Sequence, residues 1–210
     1  MPKALPNILY DKTRATNIID SPIAPYQLIM FKDEDYLSNY DNYVGFVKGI
    51  EHTVRNNDRY KKYINYLKKK IKLNKCQILK NVTDEDASIE MHHGPIFTLY
   101  DVCAIVLEYY IMKGWKISTF SVADTVLEEH MRNRVGVIMV STTMHEEIHE
   151  KNIFIHYKQA WGDINAFTKK YADAMSDEYR EQLNRYIDRC LLYDSNDFGI
   201  LELNKALIKK

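Results

Sequence analysis

From Asp41 onward, apolar residues recur every three or four positions: Val44, Val47, Ile50 and Val54, then Tyr60, Ile64, Leu67 and Ile71 after an Asn56-Asn57 break. A helix brings such positions onto one face, so the pattern predicts two amphipathic helices within 41–72. The period then shortens. Residues 76–82 and 87–93 are β-tolerant runs on either side of the acidic turn Thr83-Asp84-Glu85-Asp86, the pattern of a β-hairpin. After Gly94-Pro95, Thr98 is placed to cap a helix whose buried stripe is Leu99, Val102, Cys103, Val106 and Leu107, with Gly114 past its end. A second helix is expected over roughly 121–132. Residues 135–140 form a continuous apolar run of strand length, and Ser141-Thr142-Thr143 offer hydroxyls to cap a short helix carrying His145 and His149. Strand character returns at 153–157 and helical character at 161–171. Ser176-Asp177-Glu178 opens a last helix with Tyr179, Leu183, Tyr186, Ile187 and Cys190 inward.

These elements predict an α+β protein with a small antiparallel sheet. Residues 1–37 hold four of the five prolines and little periodicity, which reads as an arm packed on the body. The body then runs over 38–172, with a helical insertion at 98–132, and a C-terminal helical extension over 173–210.

Composition narrows the class. A chain of 210 residues, 46% hydrophobic, is long enough to bury one core. No window approaches the roughly 18–20 apolar residues of a membrane span, and Met1-Pro2-Lys3-Ala4-Leu5-Pro6 lacks a secretory signal's apolar core, so a cytoplasmic protein without membrane partners is expected. Cys76, Cys103 and Cys190 are isolated from one another, which leaves histidine and carboxylates to hold any metal. The charge balance, 29 basic against 29 acidic, hides a polarity: ten basic residues and two acidic ones lie between Glu51 and Lys80. Arg59, Lys61, Lys62, Lys68, Lys69, Lys70 and Lys72, interleaved with Tyr60, Tyr63 and Tyr66, are therefore candidates for contact with nucleic-acid phosphates and bases. The plainer reading of such a run is a solvated face.

Histidine carries the candidate chemistry. His145 and His149 are four apart, so a helix places them one turn apart on one face, close enough to share an ion. Two solvated histidines among Glu146, Glu147 and Glu150 are the bland alternative. His92-His93, at the end of a predicted strand, adds to the pair, because neighbouring strand residues face opposite sides and can divide ligation from base catalysis. Hydrolysis of a phosphodiester needs both a base and a cation on the scissile phosphate. His52, His130 and His156 read as ordinary histidines, and Trp115, Trp161 and most tyrosines as packing.

Glu90-Met91-His92-His93, followed by a strand and the helix His145-Glu146-Glu147-Ile148-His149, resembles the HNH, or ββα-metal, nucleases, most closely in their colicin-DNase style. The resemblance implies a ββα-metal core, His93 as general base, His92, His145 and His149 as ligands of a divalent ion (Mg, Mn, Zn or Ni), and Glu90 as a carboxylate orienting its neighbours. The expected activity is metal-dependent endonucleolytic cleavage, with DNA as the expected nucleic acid. The run from Ile89 through Phe97-Thr98-Leu99-Tyr100-Asp101 is also similar to a group of HNH-like proteins of large bacteriophages, over roughly residues 38–172; this implies a phage origin and brings no substrate.

Two departures stand out. Between His93 and His145 lie 51 residues, about twice the spacing of the compact motif, so the helices at 98–132 must be an insertion. The motif's middle asparagine, which braces a loop, is represented only by Asn133 or, nearer its usual spacing, by Gly136. Two rival readings follow: an HNH-like module that binds nucleic acid or a host protein without cutting, and a zinc protease, since His145-Glu146-Glu147-Ile148-His149 is also a literal HExxH. Against the protease, Asn152 and the residues after it end the helix too early to present a third ligand.

Overall fold

The expected pair of amphipathic helices forms. In a computed structural model, which describes residues 31–79 and 81–192, a short α1 (Glu34–Ser38) leads into α2 (Tyr40–Asn56) and α3 (Asp58–Lys69). Asn57 is the hinge: its N–H closes α2 on the Val54 carbonyl, and its side chain accepts from Arg59 N–H to start α3. Val47, Ile50 and Val54 of α2 and Tyr60, Tyr63 and Leu67 of α3 are buried. Most of the arm expected at 1–37, together with Lys80 and the chain beyond 192, lies outside the described residues.

Two further helices complete the helical layer. In α4 (Leu99–Met112), Thr98 and Asp101 form a reciprocal capping box. Its burial runs nearly all round, from Val102 through Leu107, because α2 covers one side and α5 (Thr119–Met131) another. From α5, the buried carboxylate of Glu129 accepts from Lys170 Nζ at 2.5 Å and Tyr171 Oη at 3.1 Å, tying α7 (Ile164–Tyr171) to this layer. A carboxylate this buried is tolerable only because cationic and hydroxyl donors satisfy it.

The sheet has two strands among the described residues, β1 (Ile89–His93) and β2 (Val137–Ser141), paired antiparallel with Glu90 opposite Val140 and His92 opposite Ile138. The expected hairpin of 76–82 with 87–93 does not form. Its turn closes on itself, since the Asp86 carboxylate accepts from both the N–H and the hydroxyl of Thr83. β1 instead pairs with β2, whose five residues are all buried. Local β-tolerance marks a strand without choosing its partner; burying the apolar run decides that. Residues 76–82 contribute Gln77, which gives its N–H to Met139 O at 2.9 Å and accepts Met139 N–H on Oε1 at 2.6 Å.

Directly after β2, α6 (Thr142–His149) crosses both strands. Ser141 sits at its cap position, but its buried hydroxyl makes no hydrogen bond, contrary to the expected hydroxyl cap. The strand expected at 153–157 is replaced by a 3-10 turn at Tyr157–Gln159, and Trp161 leaves its expected helix to bridge Val137 in both directions, at 2.9 and 2.7 Å. Helix α7 therefore begins only at Ile164, capped by Asp163. The last helix, α8 (Asp177–Leu192), buries Tyr186 and Cys190 as expected, whereas Ile187 points outward at 45% exposure. It docks through Gln182 to the Ile96 carbonyl and Tyr186 to the Ile155 carbonyl. The observed class is thus α+β, with eight α-helices and one antiparallel strand pair among the described residues.

Candidate metal centre

The strand period places the centre. Alternation along β1 sends Glu90 and His92 to the face crossed by α6, and Ile89, Met91 and His93 to the helical layer. On α6, Met144 and Ile148 rest against the core while His145 and His149, one turn apart, reach His92. One nitrogen from each of His92, His145 and His149 lies within 4.8 Å of the other two. His145 Nε2 and His149 Nε2 are 3.1 Å apart. Nitrogens bound tetrahedrally at about 2.1 Å from one ion stand about 3.4 Å from each other. The two helix nitrogens already stand near that separation with His92 beside them, and the residues fit a divalent ion.

Glu90 fixes the orientation. Its carboxylate accepts from His145 Nδ1 at 2.7 Å, which places the His145 proton on Nδ1 and leaves Nε2 as the donor to an ion. Thr142 makes a longer contact to the same carboxylate at 3.4 Å. Burial, reinforced by the two neighbouring imidazoles, lowers the pKa of His92 to about 4 and keeps it in the neutral, ligating form at pH 7. The cluster grades from buried His92 through half-buried His145 to exposed His149, so one side is open to solvent.

His93 is not brought into this cluster. Its Nε2 is 3.0 Å from His130 Nε2, and its ring lies parallel to Tyr60 at 6.1 Å between centroids. Burial, and then the facing His130, push its pKa well below the ordinary imidazole value. His130, expected to be an ordinary histidine, is instead fully buried against Tyr60 and Tyr63, with Nδ1 2.7 Å from the Val126 carbonyl and a pKa lowered to about 4. Nothing in its spacing from His93 marks the contact; the available signal was a histidine on the apolar stripe of α5.

The two positions considered for the bracing asparagine part company. Asn133, at φ 52°, accepts the Trp161 indole N–H on Oδ1 at 3.1 Å and the Asp163 N–H on its carbonyl at 2.6 Å, so it braces the turn into β2. At Gly136 a Cβ would collide with the Gly94 carbonyl oxygen and the Ile164 side chain, so no asparagine fits there.

The basic stretch is partly spent on structure. Arg59 pairs with Asp124, Lys61 lies 3.7 Å from Asp58, and Lys68 Nζ donates to the Ile89 carbonyl at 2.6 Å, anchoring α3 to β1. Lys62, Lys69, Lys70 and Lys72 are exposed.

The fold and site define an α+β protein with a three-histidine cluster held between a strand and the helix that follows its partner strand. The chain belongs to the bacteriophage G278-like virion protein family, whose model matches residues 10–208. That membership supports a phage origin; the family's description assigns no activity. No curated protein and no solved structure matches the chain. Among the described residues, no helix is long and apolar enough to cross a membrane.

Proposed function

We propose that this phage protein is a metal-dependent endonuclease of the HNH type, hydrolysing phosphodiester bonds, with DNA as the substrate. The observation that carries the reading is the convergence of His92, His145 and His149, backed by Glu90, on an antiparallel strand pair that runs straight into a helix. A ββα-metal site has this order of elements. Three imidazole donors suit Zn or Ni better than Mg. When bound, the ion would offset the charge that develops on the scissile phosphate and leaving oxygen. Glu90 keeps His145 in register, and His93 takes the proton from the attacking water through Nδ1, the ring nitrogen that is not engaged by His130. Exposed Lys62, Lys69, Lys70 and Lys72 draw the phosphate backbone toward α3.

A non-cleaving module is the second reading, favoured by the burial of His93 and its engagement with His130. The protease reading is weakened because the third histidine comes from β1 rather than from beyond α6, which ends at His149. Plasmid nicking across Mg, Mn, Zn and Ni separates the first two. The expected outcome is nicking by the wild type, and metal binding without cutting by His93→Ala. A wild type that binds metal yet leaves DNA and RNA intact with every ion establishes the non-cleaving module.

A further inference from the structure

We propose that His130 is a positioning residue for His93: it accepts the His93 Nε2 proton and thereby leaves Nδ1 as the nitrogen with the free lone pair. This rests on the reading of His93 as the base. The chain of hydrogen bonds settles which nitrogen carries which proton. A peptide carbonyl only accepts, so the 2.7 Å contact of His130 Nδ1 with the Val126 carbonyl requires the proton on Nδ1. His130 is 0% exposed and boxed by the edges of Tyr60 and Tyr63, at 5.6 and 5.5 Å, an environment that disfavours a second proton. A neutral His130 then has a bare Nε2. His93 Nε2, 3.0 Å away, must donate to it.

The consequence reaches the proposed chemistry. An imidazole with its proton on Nε2 can accept only through Nδ1. When water is deprotonated, the O–H bond breaks and an Nδ1–H bond forms on His93, while the His93 Nε2–H bond stays intact and donated to His130, spreading the positive charge toward a neutral acceptor. His130 stands 37 residues from His93, on the inserted helix α5. The insertion thus supplies the partner that orients the base, and Tyr60 of α3 stacks on the same ring.

The test is nitrogen-15 NMR of the histidine rings in the full chain, read beside cleavage and metal affinity. Wild-type His93 is expected to show its proton on Nε2. His130→Phe removes the acceptor and should give a mixed or Nδ1-protonated His93. His130→Gln puts a carbonyl oxygen near the lost nitrogen and should restore Nε2–H. A wild-type His93 protonated on Nδ1, or a tautomer unmoved by His130→Phe, overturns the assignment; the wild-type spectrum decides even where the Phe variant fails to fold. Cleavage tests the underlying reading separately. With His93 as base, kcat falls at least about tenfold in His130→Phe at unchanged metal affinity, and recovers in His130→Gln. The expected tautomers with no cutting by any protein uphold the His130 contact and overturn the nuclease.

Discussion

The two faces of β1 carry histidines one residue apart, and they behave as different materials. His92 faces α6 and meets two imidazoles, one of them held by Glu90, in a cluster open to solvent at His149. His93 faces the helical layer, where it meets His130 and Tyr60 inside the core. Both rings are neutral at pH 7 because burial opposes their charge. A neutral imidazole beside two others is a set that could hold an ion; one hydrogen-bonded to another in the core is a packed and oriented group. Strand alternation alone creates this division, so a slip of one residue in the register of β1 would exchange the two roles.

The comparison breaks most visibly at His92. His92→Ala should lower zinc affinity by more than about 100-fold, beyond what loss of a supporting group costs, as measured by chelator competition. The same variant should lose metal stabilisation: for the wild type at 100 times its Kd, about 2.7 kcal/mol, or a Tm rise of about 5–10 °C. A wild type whose melting is indifferent to Zn and Ni removes the metal centre.

On the other face, acid is the probe. His130 has a folded pKa of about 4, against an ordinary 6.5, so its neutral form is favoured by folding. Its contribution is complete above pH 6.5 and is lost as the pH falls toward 4, by on the order of 3 kcal/mol. His93 shifts in the same direction. Urea unfolding of metal-free protein at pH 7.5 and 4.5 should show the loss, and His130→Phe should flatten it. An equally steep loss in that variant would place the acid sensitivity elsewhere.

Smaller effects sharpen the contrast. Glu90→Gln should weaken metal binding about 10–100-fold, because it replaces the charged acceptor that orients His145. Lys68→Ala should cost about 1–2 kcal/mol through its bond to the Ile89 carbonyl, whereas Lys70→Ala, on exposed surface, should change stability by less than about 0.5 kcal/mol. If the two lysine variants unfold alike in urea, Lys68 is no anchor of β1.

Much of the helical fold was legible in the chain. The i, i+4 pattern and the Asn56-Asn57 break located α2 and α3, and Thr98 and Gly114 marked the ends of α4, since those signals act within a few residues. The His145 and His149 pair was legible for the same reason. The partner of β1 was not, because strand pairing spans both α4 and α5 and is chosen by burial of β2. Nor was the use of Arg59 and Lys68, whose partners Asp124 and Ile89 lie 65 and 21 residues away.

By itself the sequence determined which residues could ligate, the helix spacing that joins His145 to His149, and the alternation that sends His92 and His93 to opposite sides. Only the tertiary structure decided that α6 lies over the His92 face, that Glu90 holds His145, and that α5 presents His130 to His93. Periodicity is set by local backbone geometry and can be read along the chain; which faces meet is set by burying non-local apolar surface, and it emerges only once the whole core is packed.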